Sequence, residues 1–190
     1  MKYALIGDLH SHTKRTKKVL QHINDTAPDA KIIGLGDLFE CTIGKKKAAE
    51  LRNIPLGDAA IISEKFTELL TFPSIIGNQE ERIALVTGEQ QFLQYKEKMT
   101  IEGATLMHGH QFDWDEHFEP TFPPQETPLL FFGHSHRAAV YVNGQRMAVP
   151  YDVPLQLSDK PYQVNVGAVV ENKEWCLYDS EKMIVTFLKA

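Results

Sequence analysis

Short apolar runs punctuate the chain, and the segments between them set the fold class. Residues 3–7, 31–36, 73–77, 104–107 and 129–133 are rich in Ile, Leu, Phe and Ala, and each ends on or runs into Gly or a polar residue. Runs of this length and composition predict short buried strands. Between them the pattern turns helical. Over 13–26, Val19, Leu20 and Ile23 share one face, Lys14, Arg15, Lys17 and Lys18 lie elsewhere, and Pro28 stops the helix. Asp58 can cap a second helix that carries Ile62, Phe66, Leu69 and Leu70 at helical spacing. A third, less regular helix is read over 89–99.

Strands alternating with helices predict a sheet covered by helices. After Arg137 the texture changes. Segments 140–143, 146–149, 163–166, 174–178 and 183–188 are strand-like with little helix between them, and Asn143-Gly144 signals a tight hairpin. The chain is therefore read as one domain over 1–190, an α/β first half packed on a more antiparallel second half, with two sheets.

Composition narrows the partners. The chain has 190 residues, 43% of them hydrophobic, which is enough for a real core and excludes disordered, collagen-like and repeat classes. Its net charge of -5 argues against an extended grip on nucleic acid but allows a small anionic substrate if bound cations supply local positive charge. Two cysteines, Cys41 and Cys176, build no disulfide framework and read as buried thiols. The apolar run before Asp8 is too short for a signal peptide, and nothing approaches the roughly 18 apolar residues of a membrane span. A cytoplasmic protein with no membrane partner is expected. Lys45-Lys46-Lys47 reads as a solvated helix start rather than a phosphate-steering patch. Oligomeric state is not encoded legibly, and a homodimer is compatible with the composition.

The candidate chemistry lies where the strands end. Strand one runs into Asp8-Leu9-His10 and strand two into Gly36-Asp37. Strand three runs into Gly77-Asn78-Gln79-Glu80, strand four into His108-Gly109-His110, and strand five into Gly133-His134-Ser135-His136. Ligand sites in open α/β sheets lie beyond the carboxyl ends of strands, so five strands would deliver these side chains to one rim. Carboxylates, imidazoles and a carboxamide form a mixed N/O donor set that suits Mn, Fe, Zn, Co or Ni. Glycines before Asp37, Asn78 and His134 permit tight turns near an ion. Any one of these pairs alone is more often a turn, a cap or a surface pair. Five in order, each after a strand, are hard to obtain by chance.

With these residues in place, the chain resembles the calcineurin-like metallophosphoesterase superfamily, whose signature is D-x-H, G-D, G-N-H-[DE], a histidine and G-H-x-H. The short length and the His108-Gly109-His110 string look most like its small bacterial and archaeal phosphodiesterases. The resemblance implies a four-layer, two-sheet βαββ-type sandwich flanked by helices. It implies two divalent transition-metal ions, manganese first among them. Asp8, His10, Asp37 and His136 would hold the first, and Asn78, His108 and His134 would complete the second, with Asp37 bridging. It implies in-line attack on a small phosphodiester or phosphomonoester, a nucleotide included, by a hydroxide held between the ions. The competing reading keeps the fold as a binding scaffold. Seven retained ligating side chains favour the enzyme.

One position departs from the pattern. Where much of the family carries a proton-donating histidine, this chain has Gln79, which cannot deliver a proton. A preference for good leaving groups is therefore expected. His12 and His110, each two residues from a predicted ligand, are the candidate replacements, so the catalytic candidates are Asp37, Asn78, His12 and His110. Arg82 and Arg137 lie close enough in sequence to clamp a phosphate, although surface salt bridges are the plainer reading. Glu80 is expected to orient a ligand or cap the helix after Asn78. Phe112, Trp114, Phe118 and Phe122 interleave aromatics with acids in 112–128, either as a self-packed loop or as a lid that stacks on a base or aryl group.

Overall fold

Central strands buried on both faces explain why the apolar runs do not alternate with polar residues. The computed structural model of the chain describes residues 1–158 and 160–190. In chain order the first strands are β1 (Lys2–Ile6), β2 (Lys31–Gly34), β3 (Glu40–Cys41), β4 (Ala60–Ile61), β5 (Lys98–Ile101), β6 (Ala104–Met107), β7 (Asp113–Trp114) and β8 (Pro120–Thr121). They continue with β9 (Leu129–Phe132), β10 (Ala139–Val142), β11 (Gln145–Met147), β12 (Leu155–Gln156), β13 (Tyr162–Asn165), β14 (Glu174–Asp179) and β15 (Ile184–Lys189). The helices are α1 (Thr13–Thr26), α2 (Lys45–Ala48), α3 (Leu56–Ala59), α4 (Glu64–Thr67), α5 (Asn78–Thr87) and α6 (Val169–Asn172).

One sheet has the order β12-β15-β14-β1-β2 and the other β11-β10-β13-β9-β6-β5. Parallel pairs (β1 with β2, β6 with β9, β9 with β13) sit beside antiparallel neighbours. Tyr3 and Leu5 of β1 face the core between the sheets, where they meet Leu129, Phe131 and Tyr178. Ala4 and Ile6 of the same strand face outward, beneath Val19 and Ile23 of α1, Phe66 of α4 and Ile83 of α5. Leu130 and Phe132 of β9 face the far side, under Phe112 and Phe122. The α/β two-sheet sandwich is as expected. Its helical cover lies over the first sheet, whereas the far side of the second sheet is covered by the aromatic segment around the β7–β8 ribbon.

Three expectations need correction. Segment 73–77 lies beside β2 but makes only single bridges, Gly34 to Ser74 and Ile75 to Lys96. The helix expected from Asp58 is broken into α3, β4 and α4. Ala60 and Ile61 pair with Cys41 and Glu40 instead, leaving Ile61 and Ile62 52% and 41% exposed. Ser63 then starts a fresh turn by accepting from the Phe66 amide at 3.3 Å. The helix over 89–99 is a short 3-10 turn, Gln90–Gln94, that buries Phe92, after which β5 joins the sheet beside β6. By contrast, Asn143 and Gly144 take φ of 52° and 74° and link β10 to β11 with Val142 opposite Gln145, the geometry of a two-residue hairpin. Lys45–Lys47 start α2 and are all exposed. Cys41 and Cys176 are buried and unpaired. Among the described residues no helix is long and apolar enough to cross a membrane.

Candidate metal centre

The loops after β1 and β2 are laced together by backbone. The amides of Leu9 and His10 both donate to the Asp37 carbonyl, at 2.8 and 3.0 Å, and the Asp8 amide donates to the Gly36 carbonyl. The Gly133 amide donates to the His108 carbonyl at 2.9 Å, joining the loops after β6 and β9. The His134 amide donates to Asp8 Oδ2 at 3.1 Å, which draws the two sheets to one rim. Asp8, His10, Asp37, His134 and His136 all take positive φ, between 46° and 67°. Left-handed backbone is uncommon outside glycine, and five of the candidate ligands adopt it. Close approach explains two glycines. A Cβ on Gly77 would collide with the Asp37 carboxylate, and one on Gly133 would stand 2.5 Å from Asp8 Oδ2.

Two groups of side chains converge with ligand atoms close enough for one ion each. They are Asp8, His10 and His136, and Asp37, His108 and His134. In the first, His136 Nε2 lies 3.2 Å from Asp8 Oδ1, and His10 Nε2 lies 3.3 Å from His136 Nε2. In the second, His108 Nε2 lies 3.3 Å from Asp37 Oδ2 and 3.2 Å from Asn78 Oδ1. Asp37 Oδ2 is also 3.8 Å from His10 Nε2, so one carboxylate oxygen faces both groups. A cation fits this donor set. Asp8 Oδ1 is buried without a well-directed hydrogen bond, and imidazole nitrogens crowd toward carboxylate oxygens as lone-pair donors do around a metal.

Outer partners fix the imidazoles. His10 Nδ1 donates to Glu40, His136 Nδ1 to Glu171 at 3.1 Å, and His108 Nδ1 to the Leu35 carbonyl at 2.6 Å, so each Nε2 is turned toward the centre. Glu40 and Glu171 were not found from sequence. No spacing rule ties them to His10 and His136, and only folding brings them near. Glu80, wholly buried, accepts from the amides of Asp37, Phe39 and Gly77, each at 2.9 Å.

The electrostatics follow from this concentration of carboxylates. Burial opposes charge on His108, yet Asp37 and Asp8 push its pKa up to about 10. Burial likewise opposes charge on His136, and Asp8 and Glu171 raise it to about 9. His134, buried beside His108, falls to about 4. Despite burial, His108 and His10 hold Asp37 well below the usual carboxylate range. Burial and the neighbouring Asp37 raise Glu80 to about 7. In metal-free protein, the protons on His108 and His136 thus stabilise the fold fully below about pH 6.5. That stabilisation is lost as pH rises through about 9 and 10. Thermal denaturation in chelator should show a midpoint that falls across this window. Divalent metal, which needs unprotonated imidazoles, should shrink the fall. A flat profile in chelator would count against this charge assignment.

His12 caps α1, its Nδ1 accepting from the Arg15 amide at 3.4 Å, and it is not among the converging side chains. His110 reaches the same region, but Nε2 is tied to Glu81 at 3.1 Å and Nδ1 is enclosed. Of the two candidate replacement acids, His12 is thus turned to the α1 cap through Nδ1 and His110 is paired with Glu81 through Nε2. Gln79 is turned into the protein, where Oε1 accepts from the Cys41 amide at 3.1 Å and anchors β3. Arg82 lies beside it, with Nη1 3.4 Å from the same oxygen, and Arg137 is exposed.

A family model described as "Calcineurin-like phosphoesterase superfamily domain" matches residues 1–175. The chain belongs to this superfamily, and membership places it among phosphoric ester hydrolases that work with divalent metal. Comparison with curated proteins finds no match by sequence. Among solved structures, a metallophosphoesterase from Sphaerobacter thermophilus is similar at 18% identity and a TM-score of 0.67, covering 100% of this chain and 88% of that one. A putative diadenosine tetraphosphatase is similar at 12% identity and 0.52, covering 98% and 93%. A novel archaeal phosphodiesterase is similar at 14% identity and 0.49, covering 100% of both chains. At these identities the first two likenesses speak for the fold.

Proposed function

We propose that residues 1–190 form a single domain that hydrolyses small phosphoesters at a dinuclear metal centre. Asp8, His10, Asp37 and His136 hold one ion, and Asp37, Asn78, His108 and His134 hold the other. Manganese is the first candidate and iron, zinc, nickel and cobalt are the alternatives. The observation that carries this reading is the place of Asp37 Oδ2, 3.8 Å from His10 Nε2 and 3.3 Å from His108 Nε2. Bound there, two cations supply an acidified water and positive charge for the phosphoryl oxygens. The chain's own residues orient the site: Glu40, Glu171 and the Leu35 carbonyl aim the imidazoles, and Glu80 pins the Asp37 turn.

With Gln79 tethered to the Cys41 amide and His110 Nε2 paired with Glu81, the position where much of the superfamily carries a proton donor offers none to a departing alkoxide. General-acid help is typically worth about 10²–10⁴-fold, so the enzyme should favour leaving groups that need none. A bis(nitrophenyl) phosphate kcat/KM at least about 10²-fold above that for a sugar monophosphate is expected. Comparable values would remove the argument. The founding experiment strips the protein with chelator, restores Mn, Fe, Ni, Co, Zn or Mg in turn, and follows metal content and turnover together. Two ions bound per chain with no turnover under any metal would favour a scaffold.

A further inference from the structure

A groove of about 580 Å³ is lined by Asn78 and His134 of the second ligand group together with Lys45, Arg82, Trp114 and Phe118. Sites for small organic ligands occupy roughly 300–1,000 Å³. Part of its lining is an ordered aromatic pair. Trp114 and Phe118 stack with ring centroids 4.7 Å apart and planes 23° from parallel, at 5.4 and 5.9 Å from the His134 ring. The Trp114 indole is fixed by donating to the Gly109 carbonyl at 2.9 Å.

The segment's other aromatics behave as core, with Phe112 and Phe122 packed on Phe132. Phe118 does not. It remains 40% exposed, on a backbone of φ 60° that bulky residues rarely adopt. A turn built for the purpose holds it there. The Phe118 amide donates to the Asp115 carbonyl at 3.0 Å, and the amides of His117 and Glu119 donate to Asp115 Oδ1, both at 2.9 Å. An exposed ring kept in a sparsely populated conformation beside a candidate metal ligand is accounted for by a ligand that covers it.

We propose that Trp114 and Phe118 form a stacking platform for the nucleobase of a nucleoside phosphate whose ester phosphorus lies at the metal centre. Lys45 and Arg82, which line the same groove, receive a further phosphate of the same substrate. Flat aromatic ligands stack on such rings, and planar guanidinium and ammonium groups recognise phosphate. The inference rests on the phosphoesterase reading and adds the substrate class.

The test uses metal-loaded protein and non-hydrolysable methylenephosphonate analogues of AMP and of ribose 5-phosphate, with affinities read by calorimetry and stacking by tryptophan fluorescence. Trp175 is wholly buried, so Trp114 is the responsive fluorophore. The AMP analogue is expected to quench the emission and to bind about tenfold more tightly than the ribose analogue. Phe118→Ala should abolish that advantage and leave ribose-analogue affinity unchanged, and Phe118→Tyr should restore it. Equal binding of the two analogues by the native protein, binding by neither, or an equal loss for both in Phe118→Ala would overturn the platform. Hydrolysis of bis(nitrophenyl) phosphate separates the two levels. If it persists while stacking fails, only the platform falls; if it is absent with every metal, the phosphoesterase reading falls as well.

Discussion

Asp37→Asn is expected to lower kcat by on the order of 10³-fold or more and to leave no more than one tightly held metal per chain. The substitution is clean because the two oxygens of Asp37 have separate tasks. Oδ1 accepts from the Gln79 amide at 2.8 Å and anchors the first turn of α5, and an asparagine oxygen can keep that bond. Oδ2 faces His10 Nε2 and His108 Nε2, and in the variant an NH₂ group takes its place. A neutral donor at that point cannot bridge cations, and two imidazoles lose the carboxylate that draws them together. Elemental analysis after dialysis, beside kcat under saturating Mn, reads both effects, and a near-native melting temperature would show that the fold survives. Full activity in the variant would remove the bridging role and with it the dinuclear assignment.

The order in which the site was legible has a physical basis. Asp8, His10, Asp37, Asn78, His108, His134 and His136 stood out as candidates because each follows an apolar run, and a strand buried on both faces announces itself through such runs. β1 and β9 do so, each lodging alternate residues in different cores. Segment 42–72 gave no comparable signal. Ile62 and Phe66 fall at helical spacing, but Ile62 is 41% exposed and only Phe66 is fully buried, so the apparent face was never a packing face. β3 and β4, with two residues each, are held by one another and by the Gln79 side chain, a contact that no local pattern encodes. Lys98 and Met99, at the end of the helix expected over 89–99, instead open β5 by pairing with β6, tertiary contact overriding a weak local preference.

The carboxylates that support the imidazoles were hidden while the candidate ligands were not. The candidate ligands stand at the ends of apolar runs, which the sequence marks. Glu40 and Glu171 need only reach a ring nitrogen, and they do so from β3 and from α6, in regions with no pattern of their own. Glu80 lay between. Its position after Asn78 suggested a cap or an orienting group, and it serves both purposes, since it accepts from Gly77 at the start of α5 and from Asp37 and Phe39 on the facing loop.

That double duty predicts a large stability effect. Glu80→Ala would leave the buried amides of Asp37, Phe39 and Gly77 without an acceptor. At about 1–3 kcal/mol for each unsatisfied buried group, partly offset by relief of a disfavoured charge, the loss should be roughly 3–5 kcal/mol. For a chain of this length the melting temperature should fall by roughly 10 °C, and metal affinity should drop about 10–100-fold as the Asp37 turn loosens. Charge is not the main contributor. Burial and Asp37 already raise the Glu80 pKa to about 7, so the carboxylate gains its place through the hydrogen bonds it accepts rather than through its ionisation. Glu80→Gln separates the two contributions. Its single amide oxygen can still serve Asp37 and Gly77, the pair now bound by Oε2, while its NH₂ meets the Phe39 amide donor to donor. The glutamine variant should therefore melt between the native protein and the alanine variant. If both variants melted within about 2 °C of the native protein, the Asp37 turn would have to be held by something other than this carboxylate, and the preorganisation of the whole metal rim would need another source.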